Sequence, residues 1–195
     1  MPKVGMEPIR RKALIDATIA EIGEAGSLDV TVTQIAKRAG MSSGLAHHYF
    51  GSKEQIFLAT MRHILRSYGD HVRSELSKVS NPKDRLETII AASFHPLNFT
   101  DEAISAWLNF YVYARATPDA KRLLEVYGRR FHSNLLSNLT RLLSRPRAEH
   151  VAQGLAAMID GFYIRHALQE NAPTRSEVIA ITQEYLRQNL AQPKH

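Results

Sequence analysis

The chain has 195 residues, no cysteine, and 25 Lys+Arg against 19 Asp+Glu, for a formal net charge of +6. Without cysteine it has no disulfide framework, Cys-based zinc site, iron–sulfur cluster or thiol nucleophile. No apolar run approaches the ~20 residues of a membrane helix, and Met1-Pro2-Lys3-Val4-Gly5-Met6 lacks the apolar region of a signal peptide, so a cytoplasmic protein with no membrane partner is expected.

The punctuation of the chain predicts an all-α fold of about nine helices. Pro8 opens a first helix of about 17 residues, with Ile9, Ala13, Ala17 and Ala20 at helical spacing beside Ile15, Ile19 and Ile22, and Gly26 closes it. Thr31 with Gln34 makes a capping box for a short second helix ended by Gly40. Ser42 caps a third short helix over roughly 43–49, and Ser52 with Gln55 opens a long fourth reaching about residue 78.

Asn81-Pro82 starts the next helix, which stops near His95-Pro96, and Thr100-Asp101 caps another. Thr117-Pro118 opens one that reaches Leu143. Pro146 begins one that runs to about Glu170, and Thr174 with Glu177 caps the last, ending near Leu190. Alternating apolar runs, hairpin turns, repeats and low-complexity segments are absent. The expected division is a unit of three helices over 1–52 and a second unit over 53–195.

The positive charge is clustered at one end. Lys3, Arg10, Arg11 and Lys12 face a single acid, Glu7, within the first twelve residues. Between Asp29 and Glu54 there is no acid, while Lys37, Arg38, His47, His48 and Lys53 all lie there. Such a run is either an ordinary solvated face or a phosphate-binding surface. Its setting favours the second. Residues 31–50 read T-V-T-Q-I-A-K-R-A-G-M-S-S-G-L-A-H-H-Y-F, two short helices meeting at a tight turn that contains Gly40. This is helix-turn-helix spacing. Ile35, Ala36, Ala39, Met41, Leu45 and Phe50 are expected to pack against Ile15 and Ile22, leaving the outer side of the third helix free to enter a major groove.

The stretch from Thr31 to Glu54 resembles the DNA-binding signature of the TetR family of repressors. That resemblance implies a helix-turn-helix domain followed by a helical ligand-binding and dimerisation domain. The M-P-K-V-G-M-x-P-I-R-R opening, S-G-L-A-H-H-Y-F and A-A-M-I-D-G-F-Y-I-R-H-A-L are similar, more narrowly, to choline-responsive members of the family. Ser43, Gly44, Leu45, His47 and His48 are then expected at base edges or their sugar–phosphate border. Tyr49 and Lys53 are expected at backbone phosphates, as at the equivalent family positions. Thr31 or Thr33 and Ser42 can offer hydroxyls to phosphate near helix N-termini. Arg10, Arg11 and Lys12 can reach along the backbone or into the minor groove. The sequence departs from the commonest family pattern, which has Tyr where His47 stands and His where Tyr49 stands. One such helix buries little surface, so a homodimer reading two half-sites of a pseudo-palindromic double-stranded operator is expected.

In the second unit, the helix over 101–115 carries Ile104, Trp107, Leu108, Phe110, Tyr111 and Tyr113 and reads as apolar nearly all round, hence buried. It is either plain core or the wall of a pocket for a quaternary ammonium, since aromatic faces attract such cations. The resemblance points to choline as the effector, with Trp107 and Tyr111, then Phe162 and Tyr163, as candidate ligand-binding residues. Asp101, Glu102, Glu125 or Asp160 could balance the cation, although Asp160 is better explained by an ion pair with Arg129, Arg130 or Arg165. Val151, Leu155, Ile159 and Phe162, with Val178, Ile181 and Tyr185, form apolar stripes on the last two helices, near 147–170 and 174–190. In the family these helices form the dimer interface, and the alternative is intrachain core.

Other chemistries fit poorly. Gly40-Met41-Ser42-Ser43-Gly44 matches the hydrolase elbow G-x-S-x-G, but a helix rather than a strand precedes it. The nine histidines include no H-E-x-x-H, and His63 and His71 lie eight apart with no carboxylate at ligand spacing. Gly-rich phosphate loops are absent, so no enzyme activity, metal or cofactor is expected. Two further readings stay open: a helical ligand-binding protein without a DNA role, and a TetR-type regulator answering to a fatty acyl compound or a drug.

Overall fold

The computed structural model describes residues 5–191. Lys3, counted in the N-terminal charge, and the opening Met1–Val4 lie outside the described residues. Within them the chain forms nine α-helices and no strand: α1 (Met6–Ala25), α2 (Val32–Arg38), α3 (Ser43–Phe50), α4 (Lys53–Leu76), α5 (Pro82–Ser93), α6 (Asp101–Ala116), α7 (Pro118–Leu139), α8 (Arg145–Leu168) and α9 (Arg175–Ala191).

The helix starts obey local capping chemistry. Thr31 accepts from the Gln34 amide while the Gln34 side chain receives the Thr31 amide, a complete capping box. Ser42, Asn81 and Thr100 accept from the amides of Leu45, Lys83 and Ala103. α4 and α8 end about two residues earlier than expected, at Leu76 and Leu168, and two other boundaries differ in ways that have a local cause. α1 begins at Met6, so Pro8 sits inside the first turn, where a missing N–H costs nothing because those donors have no intrahelical partner. α7 ends at Leu139 instead of Leu143. There the amides of Leu142 and Leu143 both turn back to the Leu139 carbonyl, at 2.9 and 2.8 Å.

The helices gather into two compact units. The first takes the chain up to Leu65 together with Thr100–Leu123; the second takes Arg66–Phe99 together with the chain from Leu124 on. This grouping crosses the expected boundary after residue 52, because α6 and the first parts of α4 and α7 pack with the N-terminal helices. The reason is a close approach of α1 and α6. A Cβ at Gly23 would lie 2.6 Å from the Glu102 Cβ and 2.7 Å from its Cα, so only glycine lets the helices come so near. Asn109 on α6 then donates 3.2 Å to the Gly26 carbonyl beyond the end of α1.

The core of the first unit contains Leu14, Ala17, Ile22, Val30, Ile35, Ala36, Ala46, Ile56, Phe57, Leu58 and Met61, with Ile104, Trp107 and Phe110 from α6. Leu14 is buried where Ile15 was expected, and Ile15 is only half-buried. α6 is not buried all round as expected, because its apolar Val112 is exposed.

The second unit has its core in Val72, Leu86, Ile89, Ile90, Phe94, Leu135, Leu139, Val151, Leu155, Ile159, Val178 and Leu186. Partly buried polar groups tie its helices together. Arg85 donates to the Leu76 and Val79 carbonyls at 2.8 and 2.9 Å and to Asn138 at 3.0 Å. Arg147 donates 2.7 Å to Asn189, and the Tyr163 hydroxyl donates 2.6 Å to the Ser93 carbonyl. α8 and α9 approach closely at Gly154, where a Cβ would run into the Tyr185 ring.

These positions separate two kinds of glycine. Gly23→Ala is expected to lower stability, since overpacking costs ~1–3 kcal/mol and exceeds the ~1 kcal/mol that alanine gains in a helix. Gly69→Ala in α4, where a Cβ meets nothing within 4 Å, is expected to hold or raise it. Urea denaturation of the two variants checks both signs.

Candidate nucleic-acid interface

α3 is eight residues long, and its placement follows from three local devices. Gly40 takes φ 67°, which turns the chain sharply after α2 and lets the Met41 amide reach the Ala36 carbonyl at 2.8 Å. Ser42 then caps α3. Ala46, fully buried, fixes which side of α3 faces the core. α2 is held in turn by Arg38, which bonds Glu21 at 2.6 Å and also pairs with Glu24, both on α1. These bonds, Glu21 first, push the guanidinium still further above its ordinary range. Arg38 therefore serves as an anchor, and the neighbouring exposed cation is Lys37.

With Ala46 turned inward, Ser42, Gly44, His47 and His48 are exposed, and Ser43, Leu45 and Tyr49 are half-buried. Thr31 and Thr33 are exposed at the start of α2. The Thr31 hydroxyl is already engaged, donating 2.7 Å to Gln34 Oε1, whereas Ser42 uses only its acceptor side in its cap. The His47 Nδ1 lies 3.0 Å from the Gly51 carbonyl. A carbonyl only accepts, so Nδ1 carries the proton and a neutral His47 presents Nε2 as an acceptor. Lys53 begins α4 with its ammonium 5.4 Å from the Phe57 ring centroid.

Arg10 and Arg11 point into the protein's own surface. Arg10 donates 3.3 Å to the Tyr49 hydroxyl. The Arg11 guanidinium lies 5.5 Å from the Tyr49 ring centroid and 5.1 Å from that of Phe50, and bonds Glu7 at 2.7 Å. The Arg10–Tyr49 bond was invisible in the sequence because it joins residues 39 positions apart. Gln34 and Lys37 are exposed on α2 with Thr33; Lys37 is already part of the basic run, whereas Gln34 reads in the sequence only as a cap, and its place beside Thr33 on α2 was the signal that could have found it.

The aromatic candidates fall in different units. Trp107 and Tyr111 meet edge to face at 5.2 Å on α6, in the first. Phe162 and Tyr163 join a cluster in the second, where Tyr163 stacks on Phe94 at 6.0 Å and meets Phe99 edge-on at 5.4 Å, and Phe162 meets Phe94 edge-on at 6.1 Å. Burial pushes the Tyr163 phenol well above its ordinary value and Tyr68, bonded to Ser93, up to about 12. Asp160 is exposed.

The stripes on α8 and α9 are mostly internal. Val151, Leu155, Ile159 and Val178 are buried within the chain, Phe162 and Tyr185 are half-buried, and the apolar side chains left to solvent are Ile164, Leu168 and Ile181, at 46%, 76% and 46% exposure. Among the described residues no helix is long and apolar enough to cross a membrane, and no three His, Asp or Glu residues group so as to hold a metal ion.

Comparison with known proteins agrees with this geometry. The model for bacterial regulatory proteins of the tetR family matches residues 14–60, and that for the BetI-type transcriptional repressor C-terminal region matches 82–191. The HTH-type transcriptional regulator BetI of Brucella anthropi is 52% identical over 186 residues, covering 95% of this chain and 96% of that protein. The chain belongs to the TetR family of transcriptional regulators. Within it the C-terminal part is BetI-type, and BetI of Agrobacterium fabrum is 45% identical over 97% of this chain and 92% of its own length. In fold, a TetR transcription regulator from Haloarcula marismortui superposes with TM-score 0.82 at 18% identity, covering 93% of this chain and 98% of that one. A transcriptional regulator from Saccharomonospora viridis, solved in complex with choline, superposes at 0.80 and 19%, covering 92% and 96%. As a TetR-type DNA-binding repressor the protein is a regulator, not an enzyme.

A cation at a phosphate releases counterions, so Lys53→Gln is expected to weaken binding about equally on all duplex sequences. It should also lower the slope of log affinity against log salt by about one. Fluorescence anisotropy at several NaCl concentrations measures both quantities.

Proposed function

We propose that this chain is a cytoplasmic, homodimeric repressor that binds a pseudo-palindromic operator and controls genes of choline uptake and glycine betaine synthesis, with choline as its effector. The observation that carries the DNA half is α3 itself. Its inner side is fixed by Ala46, and its outer side presents Ser42, Gly44, His47 and His48 in a stretch without a carboxylate between Asp29 and Glu54. A duplex bristling with phosphates favours such a surface, and a major groove admits such a helix. Residues 1–52 are assigned to this role and 53–195 to effector binding and dimerisation.

Two-fold pairing follows from the DNA half, because one eight-residue helix reads too little sequence. Ile164, Leu168 and Ile181 support α8 and α9 as the paired surface, since solvent exposure of such side chains is relieved by a partner.

For the effector, support comes from the BetI-type relatives, from the choline-bound neighbour and from the aromatic groups, Trp107 with Tyr111 and Phe162 with Tyr163. The fold alone does not choose the ligand, for a fatty acid degradation regulator of Bacillus halodurans superposes at TM-score 0.78 and 17% identity. A TetR-type regulator with another hydrophobic or cationic ligand is therefore the alternative.

Repression would be relieved by a population shift: choline must favour a dimer geometry whose two α3 helices no longer fit successive grooves. α4, one uninterrupted helix with residues in both units, is the proposed lever. Choline is expected to weaken operator binding by roughly 5- to 150-fold, the usual range of such coupling. Anisotropy titrations with choline, betaine aldehyde and glycine betaine test this. An operator affinity that stays flat across millimolar choline rejects choline as effector.

A further inference from the structure

Tyr49 lies at the end of α3, and two arginines of α1 surround it. Arg10 donates 3.3 Å to its hydroxyl oxygen. Arg11 covers both the Tyr49 ring and the neighbouring Phe50 ring, and its own position is set by the 2.7 Å bond to Glu7 one turn earlier. His48 tilts against Tyr49 at 5.5 Å. Arg10, Arg11, Tyr49 and Phe50 are all half-buried, so these four side chains cover one another.

We infer that Arg10 and Arg11 are positioning residues: they hold the Tyr49 hydroxyl ready for a backbone phosphate and do not themselves meet the duplex. The inference rests on the proposed operator-binding role of α3.

The chemistry of the phenol supports it. A tyrosine hydroxyl accepts and donates. Arg10 occupies a lone pair, since a guanidinium only donates, and this leaves the O–H as the group that can be offered outward. A phosphate oxygen only accepts, so the remaining function of Tyr49 matches it. A hydroxyl that already accepts from a cation is also a better donor, because hydrogen bonds in a chain polarise one another. Arg11 restricts the ring by lying against its face, which lowers the entropy lost when Tyr49 docks. Each guanidinium thus has an N–H engaged within the protein before any duplex arrives, Arg10 at Tyr49 and Arg11 at Glu7, with Arg11 also lying against the two rings.

A double-mutant cycle on the full-length protein tests this, read as operator affinity by anisotropy. Tyr49→Phe, which keeps the ring and removes only the hydroxyl, and Arg10→Gln are each expected to weaken binding by roughly 3- to 10-fold. The double variant is expected to be no weaker than Tyr49→Phe alone, within about twofold. Arg11→Gln is expected to show the same pattern. Arg10→Gln is also expected to leave the salt slope unchanged, because no phosphate loses its cation. Thermal unfolding of each variant identifies losses that come from misfolding, and Tyr49→Phe keeps the cycle interpretable, since its buried area is nearly unchanged.

Losses that add in the double variant, a salt slope lowered by about one in Arg10→Gln, or a Tyr49→Phe protein that binds as well as the unaltered one would each overturn the inference. Binding of the unaltered protein to all duplexes alike would overturn the repressor reading, and this inference with it.

Discussion

An eight-residue helix does not stand alone in water, since nucleation costs more than two turns return. α3 exists because Ala46 is buried completely in a core that also contains Leu14, Ile22 and Ile35, and because Gly40 and Ser42 fix where it begins. The same burial decides which side of α3 faces outward. Everything proposed about nucleic acid depends on that one contact surface: were Ala46 turned to solvent, Gly44, His47 and His48 would face the core. The anchors around it serve the same end. Arg38 fastens α2 to α1 through Glu21 and Glu24, and Arg10 and Arg11 reach from α1 to the far end of α3. α1 is thus the frame on which the recognition surface is built, and α6 backs the frame at Gly23.

How legible these features were in the sequence depended on their range. Helix starts depend on a residue and its neighbours three positions on, so Thr31 with Gln34, Ser42, Asn81, Thr100 and the Thr174–Glu177 pair could be read directly. The TetR signature is similarly local. Of the set expected on the outer side of α3, Gly44, His47 and His48 are exposed while Ser43 and Leu45 are half-buried, and the residue that α3 buries, Ala46, was not among those expected to pack. What could not be read was long-range. That α6 packs on α1 turns on the absence of one Cβ at Gly23, and nothing in residues 101–116 announces it. That Arg10 and Arg11 hold Tyr49 and Phe50 could not be seen because those rings lie about forty residues away, although Arg11's pairing with Glu7 is local.

Apolar periodicity also says that a side chain is hidden without saying by what. The α8 and α9 stripes illustrate this: Val151, Leu155 and Ile159 are satisfied within the chain, while Ile181 of the expected stripe, and Ile164 and Leu168 outside it, remain open. The aromatic residues pose the same ambiguity. Trp107 with Tyr111 and Tyr163 with Phe94 are packed against each other at distances usual for core aromatics. The proposal that they serve a quaternary ammonium rests on relatives and chemistry together.

The most direct test of α3 as the groove-reading element uses the lack of cysteine in this chain. Gly44→Cys introduces a single thiol at an exposed position where a Cβ meets nothing within 4 Å, and an iron chelate attached there cuts nearby DNA. On duplexes that the protein selects from a random pool, the account predicts two cleavage clusters about one helical turn apart, related by two-fold symmetry. Cleavage spread evenly along the duplex, or the same pattern on unselected DNA, would contradict it.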